Sequence, residues 1–261
     1  MKITVLAENT SRNDLPTEHG LSLYIEADGK KLLFDTGQSD LFAKNAQILG
    51  KDLEAVDLAV ISHGHYDHGG GLKTFLSINK TAPVYISRYA FEPHYNGERY
   101  IGLDTSLENS DRLVFTDGET QLAEGMTLYS APDMETADDR GGLNMLSGGA
   151  LVPDDFRHEQ YLLIEENGRR ILISGCSHRG IINISRYFRP DVLIGGFHLH
   201  KHALDDGLTA IGRTLAGFGI KYYTCHCTGT AQFEYIKPVL ENAEYISTGD
   251  SIVLQLKSMK L

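Results

Sequence analysis

The sequence contains few cysteines. Its 261 residues include only three, Cys176, Cys225 and Cys227. So small and odd a number in a chain of this length does not indicate the disulfide framework of small secreted domains. All three occur close to histidines, in the stretches GCSH and CHC. We therefore assign them to site chemistry rather than to cross-links.

The sequence also lacks a long apolar run and an excess of positive charge. No run approaches the roughly 20 residues that a membrane-spanning helix needs. The 35 acidic and 24 basic residues give a formal net charge of −11, which disfavours non-specific binding to nucleic acids or anionic membranes. The first residues, MKITVLAENTS, become polar too early for a signal peptide. We therefore expect a cytoplasmic protein that binds neither nucleic acid nor membranes, and we assign no oligomeric state.

The apolar periodicity predicts strands and helices in the same order in both halves of the chain. Each half contains a predicted strand pair, which turns at Gly29 in the first half and at Gly168 in the second. Alternating helices and strands follow each pair, and no linker-like segment separates the halves. This pattern is typical of an α/β protein. Two such halves packed face to face predict a four-layer αβ/βα sandwich, formed by a single domain of residues 1–261.

Two segments are less regular than the rest. Residues 88–118 are rich in Tyr, Arg, Asn and Asp, and we interpret them as an insertion or lid. Residues 132–158 are predicted to form a long polar loop. A loop of that length inside a compact domain usually has a functional role.

The strongest functional motif is HGHYDH, residues 63–68, at the end of a predicted strand. In an extended segment His63 and His65 point to the same side, because side chains alternate. Where the chain turns, Asp67 and His68 can reach a second, adjacent position. Imidazole and carboxylate groups bind zinc, iron or manganese. We therefore expect two ligands for one metal ion and two for another.

Other strand ends offer candidates for the missing ligands. His178 follows the strand in ILISGCSH and His226 follows the strand in KYYTCH, and we expect both to complete the metal site. Cys176 is either a ligand, a close neighbour of the ligands or a small buried filler. Asp35, at the end of LLFDTG, is either an ordinary turn residue or the acceptor for the second ring N–H of a ligand histidine.

Candidate substrate contacts surround the same strand ends. His198 ends a strand after two glycines, and we favour a substrate or proton-transfer role for it over direct metal binding. Arg179, Lys201 and His19 are further candidates, because Arg and Lys near a metal favour phosphate or carboxylate groups. The alternative for each is a solvated surface side chain, which we favour for Arg99.

The motifs resemble those of a known superfamily. HGHYDH is similar to the HxHxDH signature of the metallo-β-lactamase superfamily, and FDTG resembles its first motif. Together with EHGLSLYIE, SGCSHRGIINI, IGGFHL and HCTG, they resemble a branch of metal-dependent hydrolase-like proteins. That branch includes the archaeal dihydropterin ribofuranosylaminobenzene phosphate synthase of methanopterin biosynthesis. These motifs extend over residues 18–229.

The resemblance implies the αβ/βα sandwich and a centre of one or two divalent metal ions, with zinc favoured over manganese and iron. It also implies the following ligands: His63, His65 and His178 for one ion, and Asp67, His68 and His226 for the other. The sequence departs from the family pattern at Cys176, because most members carry there an aspartate that bridges two metal ions. Its loss weakens the case for two tightly bound ions.

Hydrolysis is the default reaction of the metal centre that the resemblance implies. A metal ion of this kind lowers the pKa of bound water, and we assign catalytic roles to Asp67 and His198. The expected substrate is a small anionic ester, lactone or phosphoester. A first alternative is a transferase that joins a dihydropterin-methyl diphosphate to a ribofuranosylaminobenzene phosphate-like acceptor. A second is a non-catalytic sensor that binds a small ligand at the metal.

Overall fold

A computed structural model of the chain describes residues 1–130, 133–137 and 141–254. The strands in these ranges are β1 (Lys2–Ala7), β2 (Ser22–Ala27), β3 (Lys30–Phe34), β4 (Leu58–Ile61), β5 (Val84–Ser87), β6 (His94–Asn96), β7 (Arg99–Tyr100), β8 (Leu113–Thr116), β9 (Gly118–Ala123), β10 (Met126–Ser130), β11 (Leu143–Ser147), β12 (Ala150–Pro153), β13 (Gln160–Glu166), β14 (Arg169–Ile173), β15 (Val192–Gly195), β16 (Lys221–Thr224), β17 (Ala243–Tyr245) and β18 (Ser251–Val253). The α-helices are α1 (Leu41–Ile48), α2 (Tyr66–Gly69), α3 (Leu72–Ile78), α4 (Ile181–Phe188), α5 (Asp206–Ala216) and α6 (Thr230–Ile236).

Two seven-stranded sheets have closely related topologies. The first has the order β18-β1-β2-β3-β4-β5-β8 and the second the order β17-β16-β15-β14-β13-β10-β9. In the first sheet β1, β2 and β3 are antiparallel, whereas β3, β4, β5 and β8 are parallel. In the second, β9, β10, β13 and β14 are antiparallel, whereas β14 to β17 are parallel. The predicted repetition of architecture between the two halves is confirmed.

The sheets pack face to face because their strands are apolar on both sides. In β2, Leu23 and Ile25 belong to the core between the sheets, whereas Tyr24 faces outward. Val60 of the first sheet and Leu162 of the second belong to the same central core. This alternation explains why the strands have near-continuous apolar runs, as sheets covered on both faces require.

Helices cover the outer face of each sheet. Phe42 of α1 and Phe75 of α3 pack in the outer core of the first sheet. Ile184 of α4, Leu208 of α5 and Phe233 of α6 pack in the outer core of the second. The predicted four-layer αβ/βα sandwich is therefore confirmed. The helix α5 has 11 residues, and none of the described helices is long and apolar enough to cross a membrane.

The two segments predicted to be irregular contain strands. Within residues 88–118, β8 extends the edge of the first sheet, while β6 and β7 join β11 and β12 in a four-stranded sheet. The predicted loop 132–158 is wrong for residues 143–153, which form the hairpin β11–β12. The turn Gly148–Gly149 has positive φ angles and is a recognisable hairpin signal. Residues 132 and 138–140 of the predicted loop lie outside the described residues.

Candidate metal centre

The predicted ligands lie at the carboxyl ends of parallel strands in the two large sheets. Residues 63–68 follow β4, Cys176 and His178 follow β14, His198 follows β15, and His226 follows β16. The carboxyl ends of parallel strands meet at one edge of a sheet, which is where open α/β sheets place their sites. The contacts below join residues of both sheets, so the sandwich brings these ends together.

The close approach of the two halves depends on a glycine. A Cβ atom on Gly175 would lie 2.2 Å from Oγ of Ser62 and 3.0 Å from Nδ1 of His63. A larger residue at position 175 would therefore displace Ser62 and His63, at the end of the strand that leads into the histidine motif.

His63, His65 and His178 form the first donor group. One ligand atom of each lies within 4.8 Å of the others, and Nε2 of His63 is 3.3 Å from Nε2 of His178. Burial, and then the neighbouring histidines, hold the pKa of each imidazole well below its ordinary value. All three rings are therefore neutral near pH 7, the form in which imidazole binds metals.

Asp67 and His226 form a second donor group. Oδ2 of Asp67 lies 3.3 Å from Nε2 of His226 and 4.0 Å from Nε2 of His68. The structure adds His19, for which we predicted a substrate contact, with its Nε2 at 3.1 Å from the same oxygen. Burial alone would raise the pKa of Asp67, but His68, His19 and His226 outweigh it and hold this pKa well below its ordinary value. Asp67 is therefore a carboxylate.

Cys176 lies between the two donor groups. Its Sγ is 3.1 Å from Nε2 of His68, and it forms a close group with His63 and His68. Burial, and then Cys227, raise the pKa of the Cys176 thiol well above its ordinary value, so a nearby cation is needed to ionise it. Cys225 belongs to the core between the sheets and to none of the donor groups among the described residues, so the site chemistry that we assigned to all three cysteines is not supported for Cys225.

Asp35 and Ser62 fix the orientation of two histidines. Nδ1 of His68 donates to Oδ2 of Asp35 at 2.7 Å. The Ser62 hydroxyl donates to the same oxygen at 2.7 Å and accepts from Nδ1 of His63 at 2.8 Å. Both histidines therefore carry a proton on Nδ1 and direct Nε2 to the centre. This is the arrangement in which an outer carboxylate orients a ligand histidine. Burial alone would lower the pKa of His68, but Asp35 and Asp67 outweigh it and raise this pKa, so a metal ion at Nε2 of His68 would displace a second proton.

A similar arrangement orients His226. Its Nδ1 donates to Oδ1 of Asn9 at 2.7 Å, and its amide N–H donates to Oε1 of the buried Glu8 at 2.6 Å. We did not single out Glu8 or Asn9 in the sequence. The signal was present, because both follow β1 at the same edge of the sheet as Asp35.

The tautomers set by these hydrogen bonds show that the donor set fits a divalent cation. Nε2 of His68 and Nε2 of His226 are 3.3 Å apart, and both are lone-pair acceptors when the rings are neutral with the proton on Nδ1. Oδ2 of Asp67, 3.3 Å from Nε2 of His226, is an acceptor as well. Acceptors repel one another at such distances, and a bound cation turns this repulsion into coordination.

Several residues of the centre have strained backbones. Asp35, Ser177, His198 and His226 have φ angles of 61°, 60°, 53° and 51°, in the left-handed region that non-glycine residues rarely adopt. Each such residue costs of order 1–3 kcal/mol, and such strain is concentrated at functional sites. The strained backbone at these strand ends therefore holds the side chains in the positions that the centre requires.

A cavity of about 370 Å³ opens over the donor groups, and its wall includes Asp67, His198, Lys201, His19 and Arg99. The ring of His198 lies 4.4 Å from that of His178. Neither ring nitrogen of His198 makes a hydrogen bond to a residue that the structure describes. Burial, and then His200 and Lys201, lower the pKa of His198 to about 3. A neutral imidazole is thus present at the cavity.

His198 also lies near two sulfur atoms. One of its ring nitrogens and the Sγ atoms of Cys176 and Cys227 lie within 4.8 Å of one another. This spacing would also allow His198 to bind a metal ion, in addition to the substrate or proton-transfer role that we favoured. Arg99, which we interpreted as a surface cation, is a wall residue of the cavity.

Arg179 is placed differently from our expectation of a substrate contact. It is buried, and it is not among the residues that line the cavity. The backbone N–H groups of His178 and Arg179 donate to the carboxylate of buried Glu159 at 2.8 and 3.1 Å. Burial raises the pKa of Glu159. In this arrangement the segment after β14 is held by Glu159, a residue that we missed in the sequence.

A second, larger cavity of about 650 Å³ adjoins the first. His178 and His198 line both cavities. The walls of the larger cavity include Ile181, Phe197 and Leu199. Its apolar side chains suit a flat or apolar part of a ligand whose polar end reaches the donor groups.

Substitution of Asp35 is expected to weaken metal binding. Asp35→Asn removes the carboxylate that accepts from Nδ1 of His68, and loss of such an outer partner costs about 10–100-fold in metal affinity. Competition with a chromophoric chelator measures this change. Asp40→Asn is a matched control, because its carboxylate pairs with exposed Lys44. Equal affinities for the Asp35→Asn protein and the unsubstituted chain would show that this hydrogen bond does not support the centre.

Comparison with known proteins identifies related sequences. The family model described as the metallo-beta-lactamase superfamily matches residues 15–223. The chain is 30% identical to an uncharacterized protein of Methanocaldococcus jannaschii, MJ0448, over 87% of this chain and 90% of that protein. It is 29% identical to the 7,8-dihydropterin-6-methyl-4-(beta-D-ribofuranosyl)-aminobenzene-5'-phosphate synthase of the same organism, over 97% of this chain and 96% of the synthase.

A solved structure supports the same relationship. The crystal structure of Tm1679, a metal-dependent hydrolase of the beta-lactamase superfamily, is similar with a TM-score of 0.82 and 32% sequence identity. The similarity covers 97% of this chain and 99% of that one. The likeness therefore includes both large sheets.

Proposed function

The chain belongs to the metallo-beta-lactamase superfamily, and on that premise we propose that it is a metal-dependent hydrolase of a small anionic ester, lactone or phosphoester. The observation that carries the proposal is the convergence of Nε2 of His68, Nε2 of His226 and Oδ2 of Asp67, with Nε2 of His226 at 3.3 Å from each of the other two atoms. A divalent metal ion, zinc in the first place, would lower the pKa of water and polarise an oxygen atom of the substrate. The net charge of −11 supports a dissolved small-molecule substrate rather than nucleic acid or membranes, and the proposed location is the cytoplasm.

The donor groups divide the ligand roles. His63, His65 and His178 would hold one ion, and Asp67, His68 and His226 would hold a second. Cys176 lies between the groups and would contact either or both. The same nitrogen and oxygen donors would also bind manganese or iron.

Asp67 and His198 would handle protons. The Oδ2 atom of Asp67 is the acceptor at the cavity wall, and His19 donates to it from Nε2 at 3.1 Å, which keeps the carboxylate oriented. Neutral His198 presents ring nitrogens without a hydrogen bond to any described residue, so it can donate a hydrogen bond to the leaving oxygen or accept one from the attacking water.

Lys201 supports the choice of an anionic substrate. Its Nζ donates to the Gly141 carbonyl at 2.7 Å, which holds the cation at the wall of the cavity that Arg99 also lines. Lys201→Ala is expected to raise KM about tenfold for an anionic substrate, because one charged hydrogen bond is worth about 1.5 kcal/mol. The KM of a neutral analogue is expected to stay within about twofold. Equal changes for both substrates would contradict a charge-specific contact.

Product formation across a substrate panel tests the hydrolase proposal. The zinc-loaded chain is assayed with a phosphomonoester, a phosphodiester, a carboxylate-bearing ester and a lactone. We expect turnover of at least one class, loss of that turnover after chelation and its recovery with added metal. Metal-independent turnover, or none by protein that holds its full metal content, would remove the proposal.

A transferase is the second candidate function. The identity of 29% over 97% of the chain to the synthase of M. jannaschii favours it, as does the larger cavity of about 650 Å³ beside the donor groups. The chain would then join a dihydropterin-methyl diphosphate to a ribofuranosylaminobenzene phosphate-like acceptor. Pyrophosphate release that requires the acceptor would identify the transferase, whereas release without it would identify hydrolysis.

A further inference from the structure

His158 contacts the turn between two ligands of the paired centre, that is, of the two ion sites proposed above. It is buried and precedes β13 of the second sheet, whereas the turn follows β4 of the first. The amide N–H of Gly64, the residue between His63 and His65, donates to Nδ1 of His158 at 2.9 Å. This hydrogen bond therefore joins the second sheet to the segment that carries two ligands.

The hydrogen bonds around His158 determine where its ring carries the proton. Nδ1 accepts from Gly64, so the proton of the neutral ring is on Nε2, which lies 3.4 Å from Oδ2 of Asp154. That carboxylate is held in place, since Oδ2 accepts from Nδ1 of His94 at 2.8 Å and Oδ1 accepts from the Phe156 amide at 2.8 Å. Burial, and then His94, lower the pKa of His158 to about 4, so the ring is neutral near pH 7. The buried carboxylate thus keeps the Nδ1 lone pair directed at Gly64.

Gly64 is closely packed as well as hydrogen-bonded. A Cβ atom at this position would lie 2.2 Å from the carbonyl oxygen of Ala90, so only glycine fits there. The ring centroids of His63 and His65 are 5.9 and 5.2 Å from that of His158. His158 therefore holds the peptide between the two ligands and packs beside both ligand rings.

The residue after His158 holds the third ligand of the same ion. The carboxylate of Glu159 accepts from the amide N–H of His178 at 2.8 Å. The Gln160 amide donates to the Ser62 carbonyl at 2.8 Å and fastens this segment to the end of β4. Neither bond involves the His158 side chain, so we expect the segment to stay in place when that side chain is changed.

We propose that His158 is a positioning residue for the first metal ion. With Glu159, it relates two ligands from the first sheet and one from the second to a single short segment, which sets the distance between them. Nε2 of His63 and Nε2 of His178 lie 3.3 Å apart in this arrangement. His158 would not bind the ion itself, because Nδ1 accepts from Gly64 and Nε2 carries the proton. The proposal rests on the metal centre of the proposed function, but not on the reaction catalysed there.

Two amide substitutions of His158 test this role, because they place their oxygen atoms differently. In His158→Asn, Oδ1 can take the position of Nδ1 and accept from Gly64, whereas in His158→Gln the amide lies one carbon further out. Loss of an outer partner costs about 10–100-fold in metal affinity, and we expect one of the stepwise zinc affinities of His158→Gln to fall about tenfold. His158→Asn is expected to stay within about threefold of the unsubstituted protein, because it retains the hydrogen bond. Competition with a chromophoric chelator measures the affinities, and urea unfolding of the metal-free proteins measures stability separately.

The comparison of the two variants decides between positioning and packing. If His158→Asn bound zinc no more tightly than His158→Gln, the hydrogen bond to Gly64 would not support the centre and the proposal would be overturned. Long-range proton–nitrogen NMR spectra of the unsubstituted, metal-free chain give a second measurement that needs no folded variant. We expect the His158 proton on Nε2, and a proton on Nδ1 would contradict the proposal. Neither measurement uses turnover, so the positioning role can fail while the hydrolase proposal holds, and the reverse.

Discussion

Replacement of His226 by alanine is expected to remove one metal ion from the paired centre and to reduce turnover about a thousandfold. The Nε2 atom of His226 lies 3.3 Å from both Asp67 Oδ2 and His68 Nε2, so the substitution takes a donor from the middle of its group. A metal ion contributes several kcal/mol of transition-state stabilisation, and about 4 kcal/mol corresponds to about a thousandfold in rate. Elemental analysis and initial rates on one preparation measure both effects.

His202→Ala is the matched control for metal content. His202 is a histidine that belongs to none of the donor groups among the described residues, so its loss is expected to leave the number of bound ions unchanged. If the His226→Ala protein retained the full metal content, His226 would not be a ligand. The centre would then reduce to the group of His63, His65 and His178, and a single-metal transferase would become the better proposal.

Most of the centre could be predicted from the sequence because one rule identifies it. Polar side chains directly after buried strands lie at one edge of a parallel sheet, and this rule selects Asp35, residues 63–68, His178, His198 and His226. The four-layer fold followed from the repeated order of strands and helices in the two halves. Both predictions depend on local patterns, which a single sequence contains.

Other parts of the site depend on tertiary packing and could not be predicted in this way. His19 lies in a loop before β2 and is 50% exposed, yet it reaches Asp67 because β1 and β2 position that loop beside the histidine motif. His94, Asp154 and His158 are separated along the chain, and only the pairing of β6 with β11 and of β11 with β12 brings them together. We predicted an insertion and a loop there, so the sequence offered no reason to group these residues.

Removal of the Cys176 thiol is expected to weaken binding of the second metal ion by about a hundredfold. Sγ of Cys176 is 3.1 Å from Nε2 of His68, at the boundary of the two donor groups, where most members of the superfamily carry a bridging aspartate. Structural zinc sites with four ligands bind with about 10–16 kcal/mol, so one ligand corresponds to about 3 kcal/mol, or about a hundredfold. Zinc titration of Cys176→Ala against a competing chelator measures the loss.

Cobalt substitution distinguishes a sulfur ligand from a buried filler. Without a cation the thiol is neutral, because burial raises its pKa, whereas a coordinating thiol is deprotonated. The cobalt-loaded protein is therefore expected to show an ultraviolet thiolate-to-metal charge-transfer band, which Cys176→Ala abolishes. The Cys225→Ala variant is the control, since Cys225 belongs to the core between the sheets, and it should retain the band.

A carboxylate at position 176 is expected to restore much of the second-ion affinity that alanine loses. Cys176→Asp places an oxygen donor of nearly the same reach between the two groups, as in most members of the superfamily, and it removes the charge-transfer band. Recovery of affinity without the band would show that the position requires an anionic donor rather than sulfur itself. If all three proteins bound zinc equally, Cys176 would be a packing residue, and the two ions would be held by histidine and Asp67 alone.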